Sequence, residues 1–434
     1  MKQKISRRMF VQLTGSASVA LLGSRQAAPG PARAPAQRRR LPYPNSTVVS
    51  DLEWLAPASR YPGTNSDMHW WTWSADGSLL LVDEDGRNFG SDRSNKNLLK
   101  VTGTPPDYKI VALPLPEALT LPGPDRDANG HPRGQGMNDE LNPAQLRYPC
   151  GALSVGQRLY VAVSDYDMNV PGVDRHLLNH VSLHGGIVGI MYSDDGAKTW
   201  NNVPLKEWPD STHPYFLGPR FAGLQFVGFG PGYTGVPQRL EGYVYAISND
   251  ISWASGDNLF LARVPRDQVL DRSAWEFYAG EGKGHQVGEP AWVKPESLAK
   301  PIFSDPQHVG HSDLSFNHAL NRYFLSVFSD VVPHTLAATL DVAEAQWNKR
   351  SELQIYEGPA PWGPWSLVHD DPNWEGPKHA PYLPKLPSKW WSPDGLSGVL
   401  LFAGDYANSI SNDDPDTYYG VVTRPFRLKL RAHQ

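Results

Sequence analysis

Two aspartates bracket the first hairpin that can be read in the chain. Between Asp67 and Asp85 lie Trp70-Trp71-Thr72-Trp73, a turn at Ala75-Asp76-Gly77-Ser78, and the apolar run Leu79-Leu80-Leu81-Val82. An acid that opens one strand and an acid that ends its antiparallel neighbour share one edge of a sheet. Adjacent strands lie about 4.8 Å apart, so two such carboxyls can come within roughly 5–9 Å of each other. At that spacing one carboxyl can protonate a leaving oxygen while the other serves as base or nucleophile, which is the chemistry of acetal cleavage. The structural alternative is that each acid caps its own strand turn by accepting nearby amides.

The same edge collects further candidates for holding a ligand. They are His69 beside the first acid, Arg147 and Asp165, Arg220, His311 and Asp313, Asp330, and the later group Lys385, Lys389 and Asp405. His308-x-x-His311-x-Asp313 is the densest titratable cluster, and a histidine beside a carboxylate can act as a base or bond a hydroxyl. An ordinary solvated loop would read the same way. His176, His180 and His184 stand four apart, which on a helix would face three imidazoles to one side and suit zinc. Gly172 before them and Gly185-Gly186 after them mark a loop instead, so no metal is assigned. The Trp70-Trp71 and Trp390-Trp391 pairs suit either stacking on a sugar ring or packing between sheets.

What must position these residues is a unit that recurs about every eighty positions. Each copy is a short apolar run that ends at an acid: 79–82 before Asp83-Glu84-Asp85, 159–163 before Asp165, 243–247 before Asp250, 323–327 before Asp330, and 399–403 before Asp405. From Asp85 onward the acids stand 80, 85, 80 and 75 residues apart. A fixed period with one strand in register implies a closed array of like units. The expected fold is all-β, a five-bladed β-propeller of four-stranded antiparallel blades with long face loops. The blades are placed at 51–115, 146–203, 216–280, 287–368 and 380–430, with an insertion at 120–145 and a helical stretch at 340–353. The closing alternation Phe426-Arg427-Leu428-Lys429-Leu430 is expected to seal the ring against an N-terminal strand.

The first residues stand apart from that pattern. Ser6-Arg7-Arg8-Met9-Phe10-Val11 followed by a weakly apolar stretch reads as a twin-arginine export signal over 1–34, then a Pro/Arg-rich linker at 35–50 and one propeller domain at 51–430. The stretch is too short to span a bilayer. Export places the protein in the periplasm or outside the cell. Without the leader, 34 basic residues face 45 acidic ones, a poor balance for gripping nucleic acid phosphates. Cys150 is the only cysteine, which rules out an internal disulfide or a cysteine metal cluster. No cofactor is called for, with calcium at the rim acids as the one option, and a monomer is expected.

Ser193-Asp194-Asp195-Gly196-Ala197-Lys198-Thr199-Trp200 resembles the Asp-box of sialidases, a hairpin turn whose acid and serine satisfy turn amides away from the active site. Three further stretches are distinctive together: Ala262-Arg263-Val264-Pro265-Arg266-Asp267 with Ser273-Ala274-Trp275-Glu276-Phe277, then Asn317-His318-Ala319-Leu320-Asn321-Arg322 with Pro361-Trp362-Gly363-Pro364-Trp365, and Pro384-Lys385-Leu386-Pro387-Ser388-Lys389-Trp390-Trp391. With them the chain resembles an exported bacterial family of unknown function, sialidase-like five-bladed propellers related to endo-D-arabinanases. That resemblance implies a catalytic Asp opening the first inner strand and another ending the second strand in Gly-Asp-Thr. Asp67 and Asp85 hold those positions, with Glu84-Asp85-Gly86 in place of the tripeptide. The expected function is an exported carbohydrate-active enzyme, a glycoside hydrolase acting on a polysaccharide or oligosaccharide. The alternatives are a polysaccharide lyase with His311 or His69 as base, steadied by Tyr148 and Arg147 or Arg220, and a propeller that only binds glycans.

Overall fold

The computed structural model describes residues 39–86, 88–90, 94–114, 147–165, 186–203, 215–221, 223–250, 256–281, 289–330, 351–376, 378–405 and 416–432. The described residues from 41 onward form one compact unit. The proposed leader, the insertion at 120–145, the spaced histidines and residues 340–350 of the expected helix lie outside the described residues. Positions 351–353 open a strand.

Two short strands come first, β1 (Val49–Trp54) and β2 (Ser59–Arg60). Blade one is β3 (Asp67–Trp73), β4 (Leu79–Gly86), β5 (Ser94–Thr104) and β6 (Asp107–Leu113), hydrogen-bonded in that order. Blade two shows β7 (Arg147–Val155), β8 (Arg158–Asp165) and β9 (Gly186–Ser193). Blade three runs β10 (Gln225–Phe226), β11 (Tyr243–Asn249), β12 (Gly256–Pro265), β13 (Glu276–Glu281) and β14 (Pro290–Val293), with β15 (Pro301–Val309) also paired to β12. Blade four is β16 (Asp313–Asn317), β17 (Arg322–Asp330), β18 (Ser351–Gly358) and β19 (Ser366–Asp371). Blade five is β20 (Pro381–Lys385), β21 (Ser397–Gly404) and β22 (Val422–Leu430), completed on its outside by β1. The protein is a five-bladed β-propeller of antiparallel sheets.

Contacts run from β3 to β7, β7 to β10, β10 to β16, β16 to β20 and β20 back to β3, so the leading strands form the inner ring. The five recurrent apolar runs all fall on the second strands β4, β8, β11, β17 and β21. Each of these strands is covered on both faces by neighbouring blades, which is why its residues are apolar without alternation. In Tyr323-Phe324-Leu325-Ser326-Val327-Phe328 every side chain is buried.

Closure corrects the expected start of blade one. Residues 51–54 belong to β1 and pair with β22, from Val49 opposite Leu430 to Trp54 opposite Phe426, so blade one begins at Asp67. The end of the expected linker is likewise part of the fold. Tyr43 stacks on Phe303 at 4.8 Å, its hydroxyl accepts the Ser304 amide at 2.9 Å, and the Ser46 amide bonds the Leu367 carbonyl.

The loop at 193–200 closes on its own backbone. Asp195 Oδ1 accepts the amides of Lys198 and Thr199 at 3.0 and 2.9 Å, and Ser193 Oγ accepts that of Ala197 at 2.9 Å. Related chemistry appears in the β3–β4 turn, where Asp76 accepts the Ser78 amide, and in the β20–β21 turn, where Asp394 accepts that of Leu396. Short acids closing turns on their own backbone make these hairpins tight.

Candidate functional site

Asp67 opens β3 on the inner ring and is 4% exposed. Its Oδ2 accepts the hydroxyl of Tyr382, from the inner strand of blade five, at 2.9 Å. Across the sheet its Cα partner is Glu84, so Asp85 sits one position farther along β4. The strand end comes in tightly there because residue 86 is glycine: a Cβ on Gly86 would meet the Asn65 carbonyl oxygen at 1.6 Å. The backbone thus brings the beginning of β3 and the end of β4 together, as the first hairpin reading requires.

Alternation along β4 puts Asp83 into the interior. Asp83 is fully buried, accepts Ser66 Oγ at 2.7 Å, and sits 3.0 Å from His69 Nδ1. The other ring nitrogen of His69 is 3.0 Å from the Gly420 carbonyl. Both ring nitrogens are therefore engaged within the protein. His69 is fully buried and links blade one to blade five. It lies within a local distortion: Met68 and His69 have φ of 73° and 47°, and the β3–β4 register shifts between Asp67 and Trp70.

The other candidates divide between the fold and the centre. Asp405 is buried and takes the amides of Ala380 and Tyr418 and His379 Nδ1, each at 2.8 Å; it ties the start of β20 to the end of β21. Arg220 donates to the Ser297 and Ala299 carbonyls at 3.1 and 2.9 Å, binding the 219–221 turn to blade three. Both residues thus tie backbone segments together. Arg147 and Asp165 are direct Cα partners at the start of β7 and the end of β8, and Asp330 ends β17 opposite Ser351. Lys389 is half-buried, with Nζ 5.9 Å from the Trp73 ring centre, and burial lowers its pKa.

The remaining candidates meet where inner strands from blades one, four and five converge. Asp313, at the head of β16, is fully buried; its Oδ1 accepts Trp71 Nε1 and its Oδ2 the Leu386 amide, each at 2.8 Å. Lys385 ends β20, is 0% exposed, and holds Nζ 4.4 Å from the centre of the Trp70 ring. His311 packs edge-on against the same indole at 5.2 Å. Burial pushes the Asp313 carboxyl up, the opposing charge of Lys385 offsetting only part of the effect. Burial likewise pushes Lys385 down to about 8. Both shifts point the same way: enclosure disfavours charge on either partner more than their attraction restores it.

The tryptophans of this centre are packing residues, with Trp70 and Trp71 at 0% and 2% exposed. Trp71 lies so close to Gly228 of blade three that a Cβ there would fall 2.1 Å from its Cη2. A cavity of about 10 Å³, room for one water, lies beside it between Thr72, Phe229, Gly230 and Tyr233. Reading the sequence had not singled out Asp83 or Tyr382, nor the Trp71–Asp313 bond. Among the described residues no group of three or more His, Cys, Asp or Glu is arranged to hold a metal.

The profile of the family described as Domain of unknown function (DUF4185) matches residues 138–384, more than half the chain. The chain belongs to the DUF4185 family. The matched span takes in blades two, three and four with β20, so it includes His311, Asp313 and Tyr382 and leaves blade one outside. No curated protein matches this DUF4185 chain. Among solved structures it is similar to one from Bacteroides ovatus ATCC 8483 at 14% identity, covering 85% of this chain and 87% of that one with a TM-score of 0.45. It is also similar to a GH43_1 enzyme from Xanthomonas citri, at 10% identity, 87% and 91% coverage and a TM-score of 0.40. The catalytic domain of a GH62 alpha-L-arabinofuranosidase from Coprinopsis cinerea gives 9% identity, 88% and 98% coverage and a TM-score of 0.41. Among the described residues no helix is long and apolar enough to cross a membrane.

Proposed function

We propose that this DUF4185 protein is an exported glycoside hydrolase that cleaves a polysaccharide or oligosaccharide, with Asp67 and Asp85 as its carboxyl pair. The observation that carries the reading is the register of blade one. Asp67, on the inner-ring strand β3, has Glu84 of β4 as its Cα partner, and Asp85 is the next residue of β4, which supports pairing the two carboxyls. Glycosidic cleavage needs two carboxyls across the scissile bond, one to protonate the leaving oxygen and one to attack or to activate water. The Tyr382 hydroxyl on Asp67 supports the pairing, since a fixed hydrogen bond sets which oxygen faces the substrate. The turn at 193–200 supports the sialidase-like kinship of the fold and has no part in the chemistry. The leader at 1–34 supports export by the twin-arginine route, and the protein acts as a monomer in the periplasm or outside the cell.

The test is a panel of plant and bacterial polysaccharides with reducing-end detection, run on the wild type, Asp67→Asn and Asp85→Asn. Each substitution is expected to lower turnover by about 10²–10⁴-fold while thermal unfolding stays near wild type. Full activity in both variants overturns the assignment. Unsaturated, ultraviolet-absorbing sugar ends would instead identify a lyase, and retention of glycans without any cleavage a binding propeller.

A further inference from the structure

The convergence of β3, β16 and β20 delivers more hydrogen-bond donors than acceptors. Lys385 Nζ is buried with no hydrogen-bond partner among the described residues, and Trp70 Nε1 is buried in the same condition. Asp313, the carboxyl whose charge acts on Lys385, has both oxygens engaged by Trp71 and the Leu386 amide. The face of Trp70 at 4.4 Å attracts the ammonium but accepts none of its protons in an ordinary hydrogen bond. A buried ammonium with three unmade hydrogen bonds is strongly unfavourable, and a methionine of similar reach would fill the space without that penalty. The group that completes this arrangement must accept protons, and one carrying negative charge does so best.

We propose that Lys385 Nζ is the anchor of a binding site for a small monovalent anion, a halide or a carboxylate, enclosed between the inner strands of blades one, four and five. The proposal does not depend on the hydrolase reading. The carboxylate could belong to a free ion or to an acidic sugar, and the two sources are distinguished by experiment. The depressed lysine pKa agrees with a group whose partner is missing.

The experiment is thermal unfolding of the full chain in chloride, bromide, acetate or glucuronate, with methanesulfonate, neither halide nor carboxylate, as the reference at the same ionic strength. Wild type is expected to gain several degrees in one or more of these anions, and Lys385→Met to gain none. A response to chloride or acetate identifies a free ion; a response confined to glucuronate identifies an acidic sugar. Equal responses in both proteins, or no response in wild type, overturn the proposal. Should Lys385→Met fail to fold, wild-type crystals soaked in bromide decide alone. An anomalous peak within hydrogen-bond distance of Lys385 Nζ upholds the site, and water alone at that position overturns it.

Discussion

Tyr382 donates its hydroxyl to Asp67 Oδ2 at 2.9 Å, joining the inner strand of the last blade to the inner strand of the first. The bond does two things at once. It fixes the carboxyl at the head of β3, and it ties together the two blades between which the ring is closed.

Tyr382→Phe separates these roles. Loss of one buried hydrogen bond is expected to lower stability by about 1 kcal/mol and, on the hydrolase reading, turnover by about tenfold. Denaturant unfolding and kcat/KM measured on the same preparation check it. Lowered stability with unchanged kcat would make the tyrosine a clamp only.

Lys385 gives the protein a distinctive alkaline response. Its pKa is lowered by burial from 10.5 to about 8 in the folded protein. Between these values the unfolded chain holds a proton that the folded one has released. Stability therefore rises with pH across that window, by up to about 3 kcal/mol from this group alone. Urea unfolding at intervals from pH 7 to 10 should show the rise in wild type and a flatter curve in Lys385→Met. Parallel curves would contradict it.

Gly228→Ala places a methyl 2.1 Å from Trp71 Cη2. The indole is held by Asp313 and has no room to retreat, so a loss of about 2–3 kcal/mol is expected. A thermal midpoint within two degrees or so of wild type would show that the centre is looser than its packing indicates.

Trp71→Phe keeps most of the ring volume but removes the donor to Asp313 Oδ1. Leaving that oxygen unsatisfied should cost about 1–3 kcal/mol. In Trp71→Phe combined with Asp313→Leu the loss should be smaller than the sum of the two single losses, because the bond between them is then lost only once. A double variant less stable than the sum of the two single ones would refute this account.

The architecture was legible because a propeller writes its own period. Runs such as Leu159-Tyr160-Val161-Ala162-Val163 are forced by burial on both faces, and they mark the second strand of every blade. The assignment of Asp51 to blade one went wrong for a simple reason. Proximity in sequence favours the nearest hairpin, whereas β1 pairs with a strand at the far end of the chain. The site was legible only as a set of strand ends. The bulge after Asp67, with Met68 and His69 at positive φ, upsets a simple count along β3. The Trp71–Asp313–Lys385 grouping leaves no local trace at all, since its members come from three blades and meet only when the ring is complete.

Pairing of β1 with β22 also orders the biogenesis of the molecule. The two strands of that seam are made far apart in time, β1 long before β22. Until β22 emerges from the ribosome, β1 carries an open edge able to pair with other chains. A chaperone that shields that edge would be needed throughout the synthesis of the blades between them.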